Sequence, residues 1–329
     1  MLKDHQKSKG ELHQPVLAKE VLACLDPKPG ESYLDLTAGY GGHASQIVAK
    51  TKAPEFLTLV DRDQAAITVL AKLFAGSTII HSDYLSAAQD LASQNKQFDM
   101  VLADLGVSSV HLDDPERGFS FSTDGPLDMR MDQAQELSAA QIVNQASESE
   151  LTRIIKDYGE EPKAHAIAKR IVANRPLNTT SELAQLIVKA YGPWARTVRH
   201  HPATKTFQAL RMAVNDELSQ LSGSLDPMQK LLAPGGRLAI ISFHSLEDRL
   251  VKQYFAEHAG DRYDAELRPI TKKPLTAGKT EISLNPRARS AKLRAACKIK
   301  TNRKGKGPWM PIKVQSTSRA YKVRVRVLD

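Results

Sequence analysis

The run Tyr33-Leu34-Asp35-Leu36-Thr37-Ala38-Gly39-Tyr40-Gly41-Gly42-His43 decides the fold class. Its first four residues read as a short apolar strand, its glycines as a loop, and His43 to Lys50 as the start of a helix. Such a unit sets free backbone N–H groups and the positive end of a helix beside a ligand, and glycine permits close approach. Many nucleotide-binding folds share it, so alone it indicates only a nucleotide-like ligand.

Working outward, strand and helix patterns alternate. Phe56 to Val60 predicts a second buried strand stopping at Asp61, and Ala65 to Phe74 a helix. A third strand is expected at Ser77 to Ile80, a helix at Leu85 to Ala92, and a fourth strand from Phe98 to Ala103, ending at Asp104. This order builds a parallel sheet covered on both faces, with Leu36, Val60 and Ala103 along the edge where open α/β folds bind ligands. From about Asp113 to His201 no strand pattern occurs; polar loops to Gln135 precede amphipathic stretches at Glu150 to Lys156, Ala164 to Ala173 and Ser181 to Tyr191. The α/β rhythm resumes with a long helix from Thr204 to Leu221, the turn Pro234-Gly235-Gly236 and a fifth strand at Arg237 to Ser242. The expected architecture is therefore α/β, a Rossmann-like sheet interrupted by a mostly helical insert. Residues 1–112 and 202–295 would form the sheet domain, 113–201 the insert, and 296–329 a basic extension.

The loop spacing narrows the ligand. Asp61 lies 20 residues after Gly41, where an acid can accept from both ribose hydroxyls of an adenosine. Gly39-x-Gly41-Gly42 lacks the third glycine of a dinucleotide loop, and Asp35, Asp61, Asp83 and Asp104 crowd the ligand edge. Carboxylates in that number repel a pyrophosphate but suit a cationic sulfonium. S-adenosylmethionine is thus favoured over a nicotinamide cofactor, and Tyr84 is placed to pack on an adenine or to serve as a rim aromatic. Asp104 is the candidate acceptor for a reacting amine, with cofactor binding or strand capping as its alternative duty. No Cys, His, Asp or Glu cluster has metal-ligand spacing, so no metal is expected.

Charge points to a partner. The net charge of +9 is uneven: from Asn285 onward 14 Lys/Arg face a single acid, Asp329, and the other 32 bases are outnumbered by 36 acids. Arg303-Lys304-Gly305-Lys306-Gly307-Pro308-Trp309 mixes bases, glycines and an aromatic, a composition suited to phosphate contact and base stacking. Tyr321 to Val327 alternates with period two and predicts an edge strand, which a second copy could extend into a homodimer. Met1 to Gln14 lacks the apolar core of a secretory signal, and no run of about 18 apolar residues occurs. A cytoplasmic, non-membrane protein is the expectation, and the widely separated Cys24 and Cys297 agree with a reducing compartment.

Several long motifs stand together with the glycine loop. They are His13-Gln14-Pro15-Val16-Leu17, Asp61-Arg62-Asp63, Asp104-Leu105-Gly106-Val107-Ser108-Ser109, Arg117-Gly118-Phe119-Ser120-Phe121, and Gly125 to Asp132. HPATKTFQALRMAVNDEL (His201 to Leu218), GGRLAIISFHSLEDR (Gly235 to Arg249) and NPRARSAKLR (Asn285 to Arg294) follow. From Leu12 to Arg294 the chain resembles the bacterial small-subunit ribosomal RNA cytosine-N4 methyltransferases, the MraW/RsmH family. The resemblance implies a class I methyltransferase domain with a helical substrate domain. It also implies methyl transfer from S-adenosylmethionine to the exocyclic amine of a decoding-region cytosine in 16S rRNA of the small ribosomal subunit. Cofactor contacts implied motif by motif are Gly41, Gly42, His43, Asp61, Tyr84, Asp104 and His111. Tyrosine stands at 84 where the family often has phenylalanine, and histidine at 111 where it commonly has glutamine. On the helix after Pro202, Lys205, Gln208 and Arg211 recur every three residues, and with His201 and Asn215 they are candidates to meet RNA. A polar helix surface packed on the insert is the alternative. A nicotinamide-dependent oxidoreductase and a non-catalytic ribosome-assembly protein are the competing functions.

Overall fold

The computed structural model describes residues 15–107, 112–198, 200–259, 265–299, 309–314 and 321–326. They divide into two compact units, Met1–Leu105 with Gly223–Asp329, and Gly106–Ser222.

The first unit is a mixed α/β layer structure. Five strands run parallel: β1 (Tyr33–Asp35), β2 (Leu57–Asp61), β3 (Thr78–His81), β4 (Phe98–Asp104) and β5 (Leu232–Ser242). Three more are antiparallel additions: β6 (Leu267–Pro269) and β7 (Leu275–Thr276) both pair with β8 (Lys292–Lys298), which lies beside β5. The sheet order is β3-β2-β1-β4-β5-β8-β6. Successive strands leave β1 in one direction and resume on its other side at β4. The carboxyl ends of β1 and β4 therefore flank a topological switch point, where such sheets bind ligands. Central β1 and β2 are buried on both faces, which explains their apolar runs, whereas edge strand β3 is half exposed.

Helices α1 (Ala18–Leu25), α2 (Gly42–Thr51), α3 (Gln64–Leu73) and α4 (Tyr84–Ser93) complete the first half. Acids begin two of them: Asp63 accepts from the Ala65 N–H and Asp83 from the Ser86 N–H, satisfying donors a helix start leaves open. Val21, Leu25, Ile47, Leu57, Leu59, Leu70, Met100 and Ile241 share one buried core. The Pro234-Gly235-Gly236 turn read from the sequence is an irregularity inside β5, where the pairing jumps from Phe98↔Leu232 to Met100↔Arg237. A Cβ on Gly236 would sit 2.9 Å from the Phe98 carbonyl oxygen, so glycine is what lets the two backbones close.

The second unit is helical: α5 (Ala139–Gln145), α6 (Glu148–Gly159), α7 (Ala164–Ala173), α8 (Thr180–Tyr191) and α9 (Ala203–Asn215). Ser138 with Gln141 and Thr179 with Glu182 form reciprocal capping boxes that start α5 and α8. Leu151, Ile155, Ile167, Leu183, Ile187, Phe207 and Leu210 make its core. The stretch expected as polar loops is anchored there too, through Phe119, Leu127, Met129 and Met131.

The unit boundaries fall elsewhere than the sequence suggests. The expected long helix of Thr204 to Leu221 is two helices, α9 and α10 (Glu217–Lys230), broken at Asp216 in the left-handed region (φ 48°). Helix α9 buries Phe207, Leu210 and Val214 in the insert's core, so the insert extends to Ser222. Past β8, Trp309–Val314 (β9) and Tyr321–Arg326 (β10) pair antiparallel, so the expected Val-rich strand finds a partner within the chain along one edge. The basic run Arg303 to Pro308 lies outside the described residues. No helix among the described residues is long and apolar enough to cross a membrane.

Candidate functional site

At the switch point the glycine loop is fixed by its neighbours' backbone. Leu36 N–H donates to Leu102 O at 2.9 Å and Ala38 N–H to Val60 O at 2.8 Å, tying the loop to β4 and β2. Gly41 is the N-cap of α2 with φ 81°, and a Cβ there would lie 2.5 Å from Cε2 of buried Phe74. Both the left-handed backbone and the contact demand glycine. Asp61, at the tip of β2, is latched to the loop: Gly39 N–H donates to its Oδ2 at 2.7 Å, and Asp63 N–H to its Oδ1 at 2.8 Å.

Asp104 ends β4 opposite this latch. Its N–H donates to Thr37 Oγ1 at 2.6 Å, a contact that makes Thr37 a clamp between loop and strand, and a residue the sequence reading did not single out. The side chain of His43, 8% exposed, brings Nε2 to 3.6 Å from Asp104 Oδ2, beyond hydrogen-bond length. His43 Nε2 and Asp104 Oδ1 are both buried without a hydrogen-bond partner. Buried polar atoms left so cost free energy unless a ligand completes them, so this corner suits a group carrying N–H or positive charge. Behind it, Asp35 is 1% exposed and accepts from Tyr33 Oη at 2.8 Å and Thr37 N–H at 3.2 Å. Burial pushes its carboxyl up to about 6; His43, Tyr33 and Thr37 act to lower it, and Asp104 adds to the rise.

The other expected ligand-edge groups divide. Asp83 spends its carboxylate on the start of α4, accepting from the Ser86 N–H and hydroxyl, so it is a helix cap. Tyr84 is the first residue of α4 and half buried. Gly42 opens α2. His111 lies outside the described residues. His244 caps α11 (Ser245–His258), its ring accepting from Glu247 N–H while Glu247 accepts from the His244 N–H. Asp248 instead holds β8, accepting from Arg294 Nε at 2.7 Å and Lys292 Nζ at 3.0 Å. Burial raises its carboxyl, but those two cations outweigh burial and hold it below the usual range.

On α9 the polar residues turn mostly into the insert. Asn215 is 2% exposed; its Oδ1 accepts from Met131 N–H, and Nδ2 donates to Met129 O and Arg211 O, each at 2.8–2.9 Å. A side chain so occupied braces the loop, and this replaces the expected RNA contact. Arg211 makes a two-pronged pair with Glu217 at 2.7 and 2.8 Å. Gln208 Nε2 donates to Tyr158 O at 3.3 Å. Lys205 is exposed and reaches Glu160 O at 2.7 Å, and the exposed His201 stacks on Phe121 with ring centroids 4.6 Å apart. The 117–132 motifs knit the same loop. Arg117 donates to Arg130 O and Met131 O, and Arg130 grips Asp128 through two bonds.

Comparison with known proteins decides the family. The sequence profile of the MraW methylase family matches residues 10–299. The chain belongs to the MraW methylase family. Ribosomal RNA small subunit methyltransferase H of a Nostoc species is 50% identical over 288 residues, covering 86% of this chain and 92% of that protein. The protein of the same name from Nitratidesulfovibrio vulgaris is 46% identical over 310 residues, covering 87% and 95%. Among solved structures, a SAM-dependent O-methyltransferase from Thermotoga maritima aligns with TM-score 0.39 and 10% identity, over 91% of this chain and 70% of that one. In this MraW methylase the methyl donor is S-adenosylmethionine, and the site's chemistry fits it: a latched acid at the β2 tip, an orphaned carboxylate oxygen at the β4 tip, and a loop that admits close approach.

Proposed function

We propose that the chain methylates the exocyclic N4 amine of a cytosine in the decoding region of 16S rRNA. What carries the substrate class is near-full-length identity of 46–50% to proteins named for methylating small-subunit ribosomal RNA. The choice of N4 of cytosine rests on the motif resemblance, and the β4 tip supplies suitable chemistry. When bound, S-adenosylmethionine supplies an electrophilic methyl group on a sulfonium.

In this reading Asp61 takes the ribose hydroxyls, Gly41, Gly42, His43 and His111 line the cofactor's other contacts, and Tyr84 packs near the adenine. Cytosine's amine is a weak nucleophile because its lone pair is delocalised into the ring. An acceptor aimed at the amine favours the pyramidal, nucleophilic form and can receive the departing proton. Asp104 Oδ1, buried and without a partner, fills that role, while Thr37 fixes the backbone that bears it. Holding the amine in line with the methyl provides the larger share of the acceleration. The base would be unstacked and read singly. Lys205 and His201, being exposed, remain the candidates on α9 for RNA contact, with Gln208 and Arg211 at the margin.

The test is mass spectrometry of small-subunit rRNA from a strain lacking the gene. The N4-methyl mark should vanish, return with the wild-type gene, and not return with Asp104→Ala. Survival of the mark in the deletion strain removes the substrate assignment.

A further inference from the structure

The insert carries one large aromatic in the open. Trp194 is 67% exposed, whereas Phe119, Tyr191 and Phe207 of the same unit are 4–8% exposed. Its backbone is nonetheless pinned. Tyr191, three residues before it, donates to both oxygens of buried Glu161 at 2.7 and 2.8 Å, and Lys163 Nζ lies 4.9 Å from the Tyr191 ring centroid. Gly192 N–H closes α8 onto Val188 O, and Trp194 O accepts from the N–H and hydroxyl of Thr197 at 3.0 and 2.9 Å. The ring is therefore presented from a built turn, Gly192–Arg196.

The stretch of chain that bears it is cationic. No acid occurs between Glu182 and Asp216, while Lys189, Arg196, Arg199, Lys205 and Arg211 do. Lys189 and Arg196, five positions before and two after Trp194 in the chain, are both exposed, and the buried Glu161 is occupied by Tyr191. An exposed flat aromatic in a stretch of chain that carries cations and no acid matches a nucleic-acid strand: every base offers a π-face, and each phosphate a negative charge. A second protein would more commonly meet a wider apolar patch than this one ring.

We propose that Trp194 is a stacking platform for an unpaired base of the RNA substrate, with Lys189 and Arg196 on the phosphates flanking that base. The proposal rests on the RNA-substrate reading and adds to it a binding surface on the insert that lies off helix α9.

The experiment uses the full chain in a Trp309→Phe background, which leaves Trp194 as its one tryptophan. A single-stranded RNA oligonucleotide copying the decoding-region strand is titrated in, and Trp194 emission is followed beside the anisotropy of end-labelled RNA. Emission should be quenched in step with binding. Trp194→Ala should weaken RNA binding roughly 5- to 100-fold, Trp194→Phe should recover most of it, and S-adenosylhomocysteine affinity should not move. If RNA binds but emission and the affinity of Trp194→Ala stay at wild-type values, the platform is overturned and the RNA reading survives. Emission that varies with protein concentration without RNA, with a sedimenting dimer that Trp194→Ala abolishes, overturns it in favour of self-association. No RNA binding by the unaltered chain defeats both readings.

Discussion

The two units put the polar side chains of their motifs to different uses. At the switch point of the sheet, Asp104 Oδ1 and His43 Nε2 are buried with nothing to bond. In the insert, Asn215, Arg211 and Arg130 are engaged by loop backbone or nearby acids, and Arg117 donates from Nη2 to two loop carbonyls while its Nε is buried without a partner. Motifs of equal length and equal polarity thus serve different ends. The first set surrounds the tip of β4 and the glycine loop, and the second chiefly holds the segment from 117 to 135 in place.

The sharpest way to break this contrast is Asp104→Asn. It keeps size and the backbone bond to Thr37, so the thermal midpoint should hold while kcat/KM falls by about 100-fold or more. Steady-state rates beside a melting curve check this, and a rate within threefold of wild type would place Asp104 outside the chemistry. In the insert, Asn215→Ala should do the converse. It strands Met131 N–H and Met129 O, each buried group costing about 1–3 kcal/mol, and should lower stability by about 2–4 kcal/mol in urea titration. Affinity for S-adenosylhomocysteine should be unaltered.

Asp35 sharpens the comparison through pH. Its carboxyl is raised to about 6 in the folded chain, chiefly by burial, against an ordinary aspartate value near 3.8 when unfolded. Between those values the folded state holds a proton the unfolded state has released, so this contribution to stability falls as pH rises from about 4 to about 6, then levels. Asp35→Asn should remove that fall and leave the variant more stable at pH 7, by at most about 3 kcal/mol. Parallel urea curves at pH 4, 5, 6 and 7 decide the matter, and a variant that keeps the wild-type slope refutes it. The smallest effect belongs to Lys205→Ala, which should weaken RNA binding a few-fold and reduce the salt slope by about one. Identical slopes would assign Lys205 only to its bond with Glu160 O.

Much of the first unit was legible from residue order, because buried parallel strands write continuous apolar runs and end in small or acidic residues. The strands at Leu57–Asp61 and Phe98–Asp104 and the helix at Gly42–Thr51 lie within a residue or two of their expected positions. The switch point with Asp35, Asp61 and Asp104 at its rim was legible for the same reason. What sequence could not convey was the far end of each hydrogen bond. Asn215 and Met129 are 86 positions apart, and nothing local distinguishes an amide that faces water from one that braces a loop. Helix α9 looked like a resumption of the sheet domain because its apolar spacing says which face is buried, not against what. That His244 and not the adjacent Ser245 caps α11 is equally illegible in sequence, since serine is the commoner capping residue.

The bond from Gly39 N–H to Asp61 joins two motifs that lie 22 positions apart. A graft of the glycine loop into a foreign sheet would lose its conformation unless the acid from the next strand travelled with it. Conversely, replacing Asp61 to change sugar preference would also unfasten the loop. Any redesign of cofactor choice in this protein therefore has to treat residues 35–43 and 61–63 as one exchangeable part.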